Sequence, residues 1–373
     1  MDQSALQVRL QEELDALVSK NSDIFNPVLG IAAVRDDFYW TGAAGSAYAD
    51  NSTPMDIDTP IFIASITKMY TAAAALILEE RGQLSLDDPL SKYLPEDIVS
   101  GLHIYRDHDY SNQLTIYHLI SQTSGLPDYF MGKPRGGESI FERLITDGDF
   151  RWDLEQVVDI TKNSLSPKFP PEAEDQRKSG KQASYSDTNY QLLGAVLEAV
   201  ANKPLHDIYS ELIMDPLNLS KTYLHGFSDP EVISPANIYY KMAPFYLDKA
   251  MISFGPDGGM VSTIDDSLDF MRAYLEGKLF EGPRTLNRMK NWKKIFFPMQ
   301  YGLGLMRIKM PKIFSPFTAS PELVGHSGAT SAFLFQSDMG GIIIAGTLNQ
   351  VDNQARVVRL MLKLVNLVNN ALT

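Results

Sequence analysis

The stretch IFIASITKMYTAAAALIL, residues 61–78, decides how this chain is read. Its apolar run predicts a helix buried in a protein core, yet Ser65, Thr67 and Lys68 stand near its start. A lysine taken out of water costs several kcal/mol unless something compensates. The run is barely long enough to cross a bilayer, and Lys68 inside it would cost roughly 2.5–3.5 kcal/mol there. A buried helix is the better reading, and Lys68 then needs a reason.

Ser65 and Lys68, three residues apart, share one helix face, so the ammonium reaches the surroundings of the hydroxyl. A hydroxyl at a helix start also lies where backbone N–H groups and the helix dipole favour developing negative charge. A lysine among apolar neighbours can activate a serine without histidine. The pattern is S-x-x-K. A chain this long shows it about once by chance. Here it occurs once, inside the apolar run. The plainer alternative is an N-cap serine with a lysine snorkelling to the surface.

Two further segments carry polar chemistry. In ASYSDTNY, 183–190, Tyr185 precedes a helix, and a phenol beside an ammonium gives up its proton more easily and can shuttle it. A capping turn with a packed tyrosine is the alternative. In GHSGATSAF, 325–333, His326 and Gly328 stand at a strand edge, where an imidazole and exposed backbone could face a substrate. A glycine turn with an incidental histidine would look the same. VGHSGA also resembles the nucleophile elbow G-x-S-x-G, but Ala329 replaces its last glycine. That fold needs a histidine after the serine, and none follows His326. No H-E-x-x-H, phosphate loop or dinucleotide fingerprint is present, and His103 with His108 reads as a solvated loop. No cofactor or metal is expected.

The totals exclude several classes. With 373 residues the chain exceeds the ~250–300 at which one core stops growing, so two domains or one composite are expected. A net charge of -13 and no basic stripe argue against nucleic acid and anionic membranes as partners. The absence of cysteine removes disulfides, a thiol nucleophile and cysteine-based zinc sites. At the start, Leu6, Leu10, Leu14 and Leu17 mark an amphipathic helix rather than a signal peptide. The chain as written is therefore expected in the cytoplasm; a trimmed periplasmic or secreted protein would look alike.

Strand-like runs at 28–35 and 38–45 read as a hairpin. Helices are expected near 115–122, twice within 138–163, over 187–201, over 206–214 up to Asp215-Pro216, and from a Thr263/Asp266 capping box to about Glu276. Residues 162–182 read as a surface loop. Runs 301–308, 331–337 and 341–349 are strands, and a helix from about Asn353 carries Val357, Leu360, Leu364 and Val368. Strands at both ends and helices between them predict an α+β fold. An antiparallel sheet (1–63 and 255–373) is flanked by the terminal helices. A mostly helical domain (64–254) is inserted, and the site lies in the cleft between them.

In combination and order these segments resemble the penicillin-recognising serine hydrolases, in the branch of class C β-lactamases, D-alanyl-D-alanine carboxypeptidases, D-amino-acid amidases and family VIII esterases. ASITKMYTAAAALILEERGQLSLDDPLSKYLP, LISQTSGLPDY, YSDTNYQLLGAVLEAVANKPLHDIYSELIMDPLNLSKT, DGGMVSTIDDSLDF and GHSGAT carry the likeness. It implies Ser65 as acylated nucleophile and Lys68 with Tyr185 as the proton-transfer pair. His326, Ser327 and Gly328 match the third motif, and the N–H groups of Ser65 and Ala329 would form an oxyanion hole. The second motif commonly ends in Asn where this chain has Asp187, and the third often begins with Lys where it has His326. A carboxylate repels a substrate carboxylate and attracts an ammonium, and a neutral imidazole anchors anions weakly. The expectation is an esterase or amino-acid amide or peptide hydrolase with low β-lactamase activity, acting on small esters, amides or short peptides. A catalytically inactive binder of peptides or cell-wall fragments is the alternative. Tyr129, Phe130, Tyr239, Tyr240 and Phe254 could line the cleft, or simply pack.

Overall fold

Val28–Ala33 is buried at every position, and this run is the strand around which the sheet closes. The computed structural model describes residues 2–33, 35, 37–173, 183–227, 233–309, 321–352 and 354–373. Eight strands form one antiparallel sheet: β1 (Val28–Ala33), β2 (Phe38–Ala43), β3 (Lys293–Phe296), β4 (Met299–Tyr301), β5 (Met306–Ile308), β6 (Leu323–Ser327), β7 (Phe333–Ser337) and β8 (Ile342–Thr347). Their order is β3-β4-β5-β6-β7-β8-β1-β2. The first strand thus pairs with the last, from Val28 opposite Thr347 to Ala33 opposite Ile342.

Five longer helices matter here: α1 (Gln3–Lys20), α2 (Thr67–Glu80), α3 (Asp187–Ala201), α4 (Ile264–Leu275) and α5 (Gln354–Leu372). Leu6, Leu10 and Leu14 of α1 are fully buried, as their spacing requires. Which face each helix covers follows from the strand alternation. A side chain at Gly30 would strike Ile264 and Leu268 of α4, whereas one at Gly42 would strike Gln11 of α1. Gly42 pairs with Leu29, the neighbour of Gly30, so the two glycines open opposite faces of the sheet. Helix α1, in contact with α5, covers one face and α4 the other.

Several expectations need correction. The 61–78 run is not helical throughout: Ile61–Phe62 is a short strand, paired with Met260–Ser262 and, through it, with Tyr223–Leu224. The expected strand 301–308 is split, because Gly302 N–H bonds Leu305 O in a turn between β4 and β5. The helix through 214 does not stop at Asp215-Pro216; the chain stays helical through Asp215–Leu217, and Asn218 in a left-handed conformation ends it. His103 is wholly buried with Nε2 3.0 Å from Phe169 O, while His108 is exposed. Residues 162–173 are not all surface either, since Glu172 is buried against Lys293 at 3.0 Å; 174–182 lie outside the described residues. Among the described residues no helix is long and apolar enough to cross a membrane.

Candidate active site

Ser65 occupies a single 3₁₀ turn, Ala64–Ile66, between the Ile61–Phe62 strand and α2. Ala64 has φ 47°, a conformation uncommon for a residue with a Cβ. Such local strain turns the chain sharply where the half-buried hydroxyl is presented.

One turn on, Lys68 is wholly buried. Its Nζ stands 3.1 Å from Ser65 Oγ, 2.5 Å from the Asp257 carbonyl and 2.7 Å from Asp187 Oδ1. The ammonium thus donates to two oxygens and has the Asp187 carboxylate as its counter-ion. That explains a lysine in the apolar run.

Tyr185 completes the group. Its ring centroid lies 5.1 Å from Lys68 Nζ, and the Ser65 side chain is among the groups that act on its phenol. Burial first, and then the Asp187 carboxylate, push its phenol well above the ordinary tyrosine pKa. The expected lowering by lysine is therefore overridden: low-dielectric surroundings and nearby carboxylates both disfavour a phenolate.

The start of α3, which carries Asp187, is held by residues 121–130. Ser186 N–H donates to Gln122 Oε1 at 3.0 Å, Ser186 Oγ to Pro127 O at 2.9 Å, and Thr188 Oγ1 to the same carbonyl at 2.7 Å. Asn189 Nδ2 bonds Gln122 Oε1 at 2.6 Å, and Ser124 Oγ donates to Asn189 Oδ1 at 2.6 Å. The T-S-G-L segment is thus scaffolding for the second motif.

Two carboxyls at the site went unrecognised in the sequence. Asp257 is wholly buried; Tyr129 Oη donates to its Oδ2 at 3.0 Å and Gln191 Nε2 at 2.9 Å. Burial, then Asp187, hold it well above the usual carboxylate range. Asp128 accepts from the N–H groups of Phe130 and Met131 at 2.8 and 3.0 Å through Oδ1, and from Asp187 N–H at 3.4 Å through Oδ2. Burial and the Asp187 charge push it up to about 7. Asp187 itself faces Lys68, so its charge is not simply open to a substrate as the sequence suggested.

The third motif lies at the end of β6. His326 is wholly buried, with Nε2 3.2 Å from Tyr301 Oη and Nδ1 2.8 Å from Ser327 O. Burial, then the Lys68 charge, lower its pKa to about 3, so the ring is neutral. It is a packed residue of the site wall rather than a substrate-facing anchor. Ser327 Oγ points to Met306 Sδ at 3.7 Å. At Gly328 an added Cβ would lie 2.7 Å from Ile63 O and 2.8 Å from Ala64 Cβ. Only glycine lets this strand end approach the nucleophile's turn so closely. Ala329, next in the chain, is exposed.

A cavity of about 570 Å³ opens beside Tyr185, with Asp128, Met131, Lys133, Arg135 and Lys168 among its walls. The five aromatic candidates pack instead. Tyr129 and Phe130 belong to a second buried cluster with Trp152, Phe254 stands 4.9 Å from Phe130, Tyr240 meets Phe141 at 6.1 Å, and Tyr239 stacks on Phe25 at 4.3 Å.

A fold with its sheet built from both ends of the chain and a Ser–Lys–Tyr group at the start of a buried helix defines a class. The chain belongs to the Beta-lactamase family, whose model matches residues 26–365. It is similar to a D-stereospecific amidohydrolase from Streptomyces sp., at 26% identity and TM-score 0.74, covering 96% of this chain and 98% of that one. D-amino acid amidase from Ochrobactrum anthropi SV3 shares the fold at 20% identity and TM-score 0.76, covering 99% and 100%. Esterase EstB of Burkholderia gladioli is 30% identical over 224 residues, 59% of this chain and 52% of the esterase. The D-alanyl-D-alanine-carboxypeptidase/endopeptidase AmpH of Escherichia coli K12 is 25% identical, over 66% of this chain and 57% of its own length. The match spans about half the length of the first curated relatives, 52% of EstB and 47% of a Dictyostelium discoideum β-lactamase-like protein. By name the first four of these are an amidohydrolase, an amidase, an esterase and a carboxypeptidase/endopeptidase.

Proposed function

We propose that the protein is a serine hydrolase that works through an acyl-enzyme on Ser65, taking small esters, D-amino-acid amides or short peptides. The observation that carries this is Lys68 Nζ held 3.1 Å from Ser65 Oγ, with the Asp257 carbonyl and the Asp187 carboxylate as its other oxygen neighbours and the Tyr185 ring 5.1 Å from the same ammonium. Ser65 Oγ bonds to the substrate carbonyl carbon, and the bond to the leaving nitrogen or oxygen breaks. The serine proton passes through the Lys68–Tyr185 pair to the leaving group. Water then attacks the ester, and the same pair returns a proton to Ser65. The N–H groups of Ser65 and Ala329 are assigned to the developing oxyanion, a role supported by the close approach at Gly328. The reacting groups sit between the sheet part (1–63, 255–373) and the helical part (64–254) of the chain.

Low β-lactamase activity belongs to the same reading. A carboxylate at Asp187 and a neutral, buried His326 leave the second and third motifs without a cation for a substrate carboxylate. The test is wild type and Ser65→Ala with a short-chain p-nitrophenyl ester, followed by product release and intact mass. Ser65-dependent turnover with a transient adduct is expected. Neither turnover nor adduct from folded protein would leave a binding protein in place of an enzyme.

A further inference from the structure

We infer that Asp128 is a specificity residue that receives the free ammonium of a substrate, directing the enzyme to unblocked amino-acid amides and peptides. This rests on the Ser65 reading above. Three observations converge on it. The first is placement: Asp128 and Tyr185 both line the cavity, and Asp187 N–H touches Asp128 Oδ2. In an α-amino-acid amide the ammonium is separated from the scissile carbonyl by one carbon, so a cation recognised beside Tyr185 lies next to the reacting atoms.

The second is capacity. Oδ1 of Asp128 is fixed by two main-chain N–H groups, while Oδ2 has the single long bond of 3.4 Å. An ionised carboxylate has about four acceptor positions, so the fixed group still has room for a donor.

The third is charge. Asp187 and Asp257 stand beside one ammonium, Lys68, with Asp128 next to Asp187, and the Asp187 charge disfavours ionisation of the other two. A second cation relieves that repulsion. Lys133, Arg135 and Lys168 also border the cavity, but they are exposed, where water and salt screen them. Lys133 is moreover paired with Glu142 at 2.8 Å, and Lys168 bonds Ser184 Oγ at 2.6 Å.

The test compares alanine p-nitroanilide with N-acetyl-alanine p-nitroanilide, in both enantiomers, for wild type and Asp128→Asn. p-Nitrophenyl acetate serves as the uncharged reference. Wild type should favour the free amine by about tenfold or more in kcat/KM, and Asp128→Asn should bring that ratio close to one. A wild-type ratio of one or below, or an unchanged ratio in the variant, overturns the inference. Should Asp128→Asn not fold, inhibition of wild-type ester turnover decides. Alaninamide must inhibit more strongly than N-acetyl-alaninamide, and equal inhibition overturns the inference. Ester turnover without amine preference removes Asp128 alone, whereas no Ser65-dependent turnover of any substrate removes the reading beneath it.

Discussion

Lys68 Nζ and Asp187 Oδ1 form a buried ion pair of 2.7 Å within reach of the Ser65 hydroxyl. Neither charge has bulk water to fall back on. Lys68→Met should therefore do two things at once: reduce ester turnover by about 10²–10⁴, and destabilise the fold by about 3–5 kcal/mol by stranding the Asp187 charge. The double variant Lys68→Met/Asp187→Asn should recover part of that stability in urea denaturation, and none of the activity. Equal stability of single and double variants would show that the pair is not coupled.

The charge at Asp187 should also be legible in substrate choice. Asp187→Asn is expected to raise hydrolysis of a carboxylate-bearing β-lactam relative to a neutral p-nitrophenyl ester, by several-fold in the kcat/KM ratio. If the ratio does not move, the carboxylate plays no part in excluding anions.

Tyr185 is surrounded so as to remain a phenol. Difference absorbance of tyrosinate should be the same for wild type and Tyr185→Phe up to about pH 10, the ordinary tyrosine value. Ester turnover of the phenylalanine variant should nevertheless fall by about 10²-fold. A tyrosinate signal near neutrality that vanishes in Tyr185→Phe would contradict this.

Gly328→Ala forces a methyl to within 2.7 Å of Ile63 O. Backbone on both sides has little room to yield, so β6 should move away from the nucleophile's turn. Activity is expected to drop at least about tenfold, since small misplacements of reacting groups are costly. Far-ultraviolet circular dichroism should stay native. Full activity would mean that the strand end does not shape the site.

Asp128 gives a pH signature in stability. Its folded pKa of about 7 exceeds the unfolded carboxylate value of about 3.9. The folded state therefore binds the extra proton between these values. Its stabilising contribution is present below about pH 4 and is lost as pH rises through about 7. Asp128→Asn should gain on wild type in thermal midpoint between pH 5 and pH 8. A difference that is the same at both pH values would sink the assignment.

Long periodic elements were legible because each pattern is local. The α1 and α5 apolar residues declared their buried faces in the sequence, and the β1–β2 hairpin and α3 their type and place. Ser65, Lys68 and Tyr185 were found because two short motifs hold them, and the structure brings all three together. The short strand Ile61–Phe62 was not seen, because two residues show no alternation. The Thr263 capping box was half right: its hydroxyl accepts from Asp266 N–H, but the Asp266 carboxylate turns to Thr222 and Lys221. Asp128 and Asp257 escaped notice for another reason. Each looks like an ordinary loop aspartate, and only the topology brings them to within reach of Lys68 and Asp187.

The pairing of β1 with β8 sets an order of events during synthesis. Ile31 must wait for Ile344 before its second ladder can form. At about 5–20 residues per second, that edge stays open for roughly tens of seconds on the ribosome. The first hairpin spends that time as an unpaired template, the kind of edge that recruits wrong partners. Ser65 and Lys68 emerge early, while Gly328 arrives close to the end. A nascent chain therefore carries its serine for most of its synthesis without the strand end that packs against it, and only the nearly finished polypeptide can close the site.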